Sequence, residues 1–208
     1  MTVTDHRSTI PTSNYMVGRS GNPVSLLIEH WIGSGTVASA LARFRDPSSR
    51  VSAHYIVAQD GEIHYVVDEA DTAYHAGEFQ ANQLSVGIEH EATPGLLPSD
   101  ALYRSSVWLH RHLSEQYGIR LEVGGTVRPH NYYRPTQCPG TLDLARIVKE
   151  ATNDMAFTDE DRAKLDRVLT LLEARESLVW TARLQRSLDV ERGLPYDENI
   201  APIDPRIR

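Results

Sequence analysis

The chain has 208 residues, 40% of them hydrophobic, one cysteine and a formal net charge of -7. This length and apolar content suit one large domain, or one ordinary domain with an appendage. The negative balance offers no global basic field for nucleic acid or an anionic membrane, a lone cysteine excludes an intramolecular disulfide framework, and no apolar run reaches membrane-spanning length. The N-terminus shows no basic segment leading into an apolar one, so synthesis in the cytoplasm without a secretory signal is expected.

Residues 1–22 are polar, punctuated by Pro11, Gly18 and Gly21, and read as an N-terminal arm or loose first strand. Residues 23–30, PVSLLIEH, form a short apolar run typical of a buried strand, broken by GSG at 33–35. In residues 36–45, Val37, Leu41 and Phe44 have helical spacing, and Asp46-Pro47 stops the helix. VSAHYIVA, 51–58, is the next strand; QDGE makes a tight turn and residues 63–67 return as its partner. LSVGIE, 84–89, is a further strand. A helix over 100–118 aligns Leu102, Val107, Leu109, Leu113 and Tyr117, with Ser99 as N-cap and Gly118 as C-cap. Residues 126–130 read as a short strand or loop and 141–151 as a helix. The expectation is a mixed α/β fold over 23–153, a central mixed sheet flanked by helices. Beyond it, residues 154–208 carry helical Leu and Val spacing (Leu165, Val168, Leu169, Leu172, then Leu178, Val179, Leu184, Leu188) and read as a helical region for packing, homo-oligomer formation or wall binding.

PHNYYRPTQCPG, residues 129–140, holds Cys138 eight positions after His130. A lone cysteine there admits three roles: inert buried thiol, nucleophile, or metal ligand. His30 closes the first apolar strand, and His130 with Cys138 sits on one loop. Two neutral imidazoles and a thiolate suit zinc, leave the site at a net charge of about +1, and leave a fourth position for water. A His-x7-Cys spacing alone is common by chance.

Four blocks occur in order: LLIEHWIGSG, then RVSAHYIVAQDGEIHYVVDEADTAYHAG, then NQLSVGIEHE, then PHNYYRPTQCPG. Over about residues 24–150 the chain resembles the amidase-2 family of zinc-dependent N-acetylmuramoyl-L-alanine amidases. That family includes phage amidases, cytosolic anhydro-muropeptide amidases and peptidoglycan recognition proteins. The resemblance implies one Zn2+ per chain on His30, His130 and Cys138, with Glu89 as catalytic base and acid. Glu91 shares the side-chain parity of Glu89 and is the alternative. Where other members carry a tyrosine before the second-strand histidine, this chain has Ala53. Thr136 takes the place of a lysine or threonine that stabilises the oxyanion, with Arg134 as a second source of positive charge. Trp31, His75, Asn82 and Arg134 are the candidate substrate contacts, with core packing the alternative for Trp31 and a structural strand-entry role the equal alternative for Asn82. His54 is expected as a hydrogen-bonded core histidine, and His64, His90, His110 and His112 at solvent or the helix surface.

The implied function is hydrolysis of bacterial peptidoglycan, with no nucleic-acid partner and no membrane insertion. The absence of a signal segment and the C-terminal appendage lead to a phage or prophage lytic enzyme that reaches the wall through a separate membrane pore. A cytosolic muropeptide-recycling amidase and a non-catalytic peptidoglycan-binding module are the alternatives. Recycling enzymes carry Asp and Lys where this chain has Cys138 and Thr136.

Overall fold

The structure, a computed structural model, describes residues 2–153. In chain order it forms β1 (Val3–Asp5), β2 (Tyr15–Met16), β3 (Leu26–Trp31), α1 (Val37–Arg45), β4 (Tyr55–Val57), β5 (Ile63–Tyr65), β6 (Thr72–Ala73), α2 (Phe79–Leu84), β7 (Ser85–His90), α3 (Asp100–Tyr117), β8 (Val127–Pro129) and α4 (Leu144–Thr152). Six strands make one sheet in the order β1-β5-β4-β7-β3-β8, and β2 pairs with β6 alone. The large sheet is mixed: β4 and β5 are antiparallel, while β7 and β8 flank β3 in parallel. β3 is therefore interior, which its apolar composition demands.

Side-chain alternation divides the sheet into two faces. Leu27, Val86, Ile88 and Val127 join Leu102, Leu109, Leu113 and Ile147 in the core under α3 and α4. Burying each such side chain contributes roughly 1.5–3 kcal/mol. The opposite face carries Ile28 and His30 of β3, Gly87 and Glu89 of β7, and Ile56 of β4. There Ile28 packs with Ala76 of the preceding loop and with Ala81 of α2, and Ile56 packs with Leu41 and Phe44 of α1.

The helix ends follow their sequences. Thr36 and Ser39 cap α1 reciprocally, Ser99 accepts from the Leu102 N–H at 3.0 Å, and Gly118 ends α3 in the left-handed region at φ 65°. α4 starts at Leu144 rather than 141, because Asp143 accepts from the Arg146 N–H and sets the N-cap.

Several expectations are corrected. Of the two readings of the N-terminal residues, the first strand is the one found, and residues 2–22 are built into the fold: β1 pairs with β5, and the buried Arg19 donates to the carbonyls of Glu69, Gln83 and Ser85. A desolvated guanidinium needs such acceptors. The strand expected over 51–58 narrows to β4, because the Ser52 N–H donates to the Tyr74 carbonyl in a loop contact. α2 was not anticipated; Glu78 starts it by accepting from the Gln80 and Ala81 N–H groups. His90 and His110 are fully buried, and His64 is buried at 8% exposure. The helices expected after residue 154 lie outside the described residues. No helix among the described residues is long and apolar enough to cross a membrane.

Candidate active site

The site forms where β3 and β7 end side by side. His30 and Glu89 are register partners on the same sheet face. The chain leaves β8 directly into His130, and the following loop returns to set Cys138 against β3. That loop is tied at three points. The Asn131 N–H donates to the Cys138 carbonyl at 3.1 Å, the Cys138 N–H to Thr136 Oγ1 at 3.2 Å, and the Trp31 N–H to Cys138 Sγ at 3.4 Å. The Trp31 ring lies so close over Gly140 that a Cβ there would sit 2.1 Å from it, so a glycine is required.

His30, His130 and Cys138 each offer one donor atom, and these atoms lie within 4.8 Å of one another. Cys138 Sγ is 3.8 Å from His30 Nδ1, and the His30 and His130 rings are 4.5 Å apart at their centroids. Burial, with His75 and His130 nearby, holds His30 well below the ordinary histidine value; burial also lowers His130. Both imidazoles are thus neutral donors at neutral pH. Burial and the nearby Glu89 push the Cys138 thiol up to about 12. Two neutral nitrogens and one sulfur that ionises only against a compensating cation fit a borderline-soft divalent metal.

Glu89 shares the cleft, about 760 Å³, with His30, Trp31, Tyr74, His75, His130, Thr136 and Cys138. Its side chain opens partly to the cleft, yet Oε2 is enclosed with no hydrogen-bond partner among the described residues. Burial raises its pKa to about 8, against the opposing pull of Arg43. A buried oxygen left without a protein partner is available to a proton, water or ligand. Glu91 differs: Oε1 accepts from the Val37 N–H and Oε2 from the Gln59 N–H, both at 3.0 Å. Both its oxygens are committed to backbone.

The remaining residues divide. Thr136 lines the cleft and keeps its hydroxyl hydrogen free of the contact with the Cys138 N–H. Arg134 instead lines an adjoining cavity with Arg50, Tyr74, Phe79 and Asn82, donating from Nε and Nη2 to the Gly77 carbonyl. Asn82 Oδ1 accepts from the His75 and Ala76 N–H groups at 3.1 and 2.8 Å, so it braces the His75 loop. His75 is buried, with Nδ1 3.1 Å from His30 Nε2. The core histidine His54 accepts at Nδ1 from the Gly87 N–H at 2.9 Å. Ala53, at the position of the missing tyrosine, is fully buried.

Behind β3 lies a polar group that the sequence reading did not reach. Glu29 Oε1 is 3.0 Å from His110 Nε2, and His110 Nδ1 faces the Ser106 carbonyl at 2.8 Å. Both nitrogens face acceptors; burial opposes protonation of His110, but Glu29 and the hydrogen bonds raise its pKa overall and so favour the imidazolium. His90 Nδ1 donates to the His30 carbonyl at 3.0 Å and Nε2 accepts from the Ser106 hydroxyl at 2.7 Å. A glutamate inside an apolar strand run was the available signal.

Fold and geometry together define a class: a mixed α/β domain carrying a His/His/Cys donor triad beside an enclosed carboxylate. The chain belongs to the Amidase_2 family, described as N-acetylmuramoyl-L-alanine amidase, which matches residues 20–141. It is 35% identical over 82 residues to N-acetylmuramoyl-L-alanine amidase A of Achromobacter lyticus, covering 39% of this chain and 45% of that protein. It is 39% identical over 74 residues to the 1,6-anhydro-N-acetylmuramyl-L-alanine amidase AmpD of Escherichia coli K12, covering 33% and 40%. The chain thus spans less than half the length of these curated relatives. A crystal structure of a selenomethionine AmpD derivative superposes with a TM-score of 0.57 at 26% identity, covering 72% of this chain and 94% of that one.

Proposed function

We propose that this chain hydrolyses the amide between the lactyl group of N-acetylmuramic acid and the L-alanine of the stem peptide in bacterial peptidoglycan. His30, His130 and Cys138 would hold one zinc ion. When bound, zinc supplies Lewis acidity at the end of β3. The observation that carries the reading is the pairing of that donor triad with Glu89, whose enclosed Oε2 has no partner among the described residues.

The charge of a divalent cation on the adjacent triad would favour the ionised form of Glu89 over the protonated one that burial favours, and the carboxylate takes a proton from the attacking water as the water oxygen bonds to the lactyl carbonyl carbon. The Thr136 hydroxyl donates to the oxygen that becomes negative, a contribution supported by its place in the same cleft. Arg134 is less suited, being held on the Gly77 carbonyl. As the C–N bond breaks, Glu89 returns its proton to the alanine nitrogen. The products are a lactyl carboxylate and a stem peptide with a free amino terminus. Trp31 and His75 wall the cleft, and Arg134 and Asn82 the cavity beside it.

A lytic, endolysin-like setting is supported by Cys138 and Thr136, which stand where recycling enzymes carry Asp and Lys. Release to the wall through a separate pore, and wall binding or self-association by residues 154–208, belong to that setting. The 39% identity to AmpD favours muropeptide recycling as the second reading. Mass analysis of products from intact sacculi and from soluble anhydro-muropeptides tests both. A lytic enzyme releases stem peptides with free N-terminal alanine from sacculi; a recycling enzyme acts on the soluble substrate alone. Wall binding without new amino termini in either sample overturns the enzymatic reading.

A further inference from the structure

We infer that His75 is a positioning residue for the metal site: it fixes the tautomer of His30 through a buried hydrogen-bond chain that ends on a backbone carbonyl. This rests on the metal reading above.

The direction of the chain follows from its far end. The Ser85 hydroxyl is 2.6 Å from the Ala81 carbonyl, which can only accept. Ser85 therefore spends its hydrogen there and can only accept from His75 Nε2, 3.2 Å away. A neutral His75 with its hydrogen on Nε2 has a bare Nδ1. That Nδ1 lies 3.1 Å from His30 Nε2, so His30 carries its hydrogen on Nε2 and donates it. The lone pair of His30 then rests on Nδ1, the atom 3.8 Å from Cys138 Sγ. Four groups thus assign one ring nitrogen to the donor triad. A ligating imidazole whose other N–H is held this way is oriented and made more basic.

The surroundings keep His75 in place. Asn82 accepts from the His75 and Ala76 N–H groups. Beneath the ring, Gly87 leaves the space it needs: a Cβ there would sit 2.4 Å from the imidazole. Only 8% of the residue is exposed, so the ring serves His30 more than the open cleft.

Zinc affinity tests this directly, by competition with a chromophoric chelator in the absence of substrate. His75→Phe removes the acceptor and is expected to weaken zinc 10- to 100-fold. His75→Asn keeps an oxygen near the Nδ1 position and is expected to bind within about threefold of the parent. Ser85→Ala, which touches neither cleft nor triad, releases the tautomer and is expected to weaken zinc about three- to tenfold. Thermal melting of the metal-free proteins separates folding from affinity, and Ser85→Ala with His75→Asn decides the matter if His75→Phe does not fold. Equal zinc affinity in His75→Phe or Ser85→Ala and the parent overturns the inference while leaving the metal reading intact. So does a raised KM for muropeptide with unchanged zinc affinity, which would assign His75 to substrate. A parent protein that binds no zinc overturns the metal reading itself and this inference with it.

Discussion

Glu89 stands directly opposite His30 in the parallel register of β3 and β7, on the same face of the sheet. A candidate ligand and a candidate base are thereby neighbours by strand pairing alone, with no loop needed to bring them together. Strand register is strongly specified where faces are buried, so the sheet itself fixes this pairing.

Exchanging the two nearby glutamates separates their roles. Glu89→Gln is expected to keep one zinc per chain and lose roughly 100- to 10,000-fold in kcat. Glu91→Ala is expected to cost about 1–3 kcal/mol of stability, because it strands the Val37 and Gln59 N–H groups, while turnover per folded molecule changes by only a few fold. Urea unfolding and steady-state kinetics on both variants check this; full activity in Glu89→Gln would move the base elsewhere.

Zinc uptake is expected to release at least one proton near neutral pH. The Cys138 thiol, raised to about 12 by burial and Glu89, is protonated in the metal-free protein and must ionise to ligate. His30 and His130 are held below the ordinary histidine value and have no proton to lose. Zinc affinity therefore rises about tenfold per pH unit on the alkaline side of the histidine range. Calorimetry in buffers of different ionisation enthalpy counts the protons, and a count of zero would place another group in the sulfur position.

Acid should destabilise the metal-free fold early. Burial, with the Arg19 guanidinium beside it, lowers His54 to about 3, whereas the unfolded chain takes up that proton near 6.5. The stability from this depressed pKa is fully present above about 6.5 and is lost as pH falls, at about 1.4 kcal/mol per unit down to about 3. His54→Asn keeps an acceptor for Gly87 and removes the titration, so its stability should fall less steeply. Urea unfolding at stepped pH measures both slopes; identical slopes would show that His54 is not the source.

The Glu29–His110 pair is expected to behave as a buried ion pair. Glu29→Leu leaves an unpaired imidazolium under β3 and should cost about 3–5 kcal/mol. Adding His110→Leu should restore much of that loss, since two apolar side chains remove both desolvated charges. Chemical unfolding of the singles and the double gives the coupling energy, and simple additivity would contradict the pairing.

Much of this was legible in the residues. The apolar run ending in His30, the LSVGIE strand and the loop from His130 to Cys138 carry their own strand and turn chemistry, so the sheet follows from local pattern, whereas the convergence of the three donors was implied by the family resemblance of the four blocks. The Glu29–His90–His110 group was not, because it depends on how α3 sits in register over β3, a tertiary fact. His110 looks like a surface residue until its neighbours Leu109 and Leu113 are seen against the sheet. Asn82 shows the same limit: in sequence its amide fits a substrate contact or a structural brace equally well, and only the fold shows Oδ1 accepting from the His75 loop. The glycine under His75 gave no signal alone, since the need for it arises only when the loop before α2 lays a ring across β7.

The most direct test is a zinc titration of metal-free protein, with release of N-terminal alanine from purified peptidoglycan followed at each addition. Cleavage should rise linearly from baseline, break at about one equivalent of zinc, and be absent in Cys138→Ala across the same range. Full amide cleavage by metal-free protein, or by Cys138→Ala at the parental rate, would contradict a metal site built from His30, His130 and Cys138.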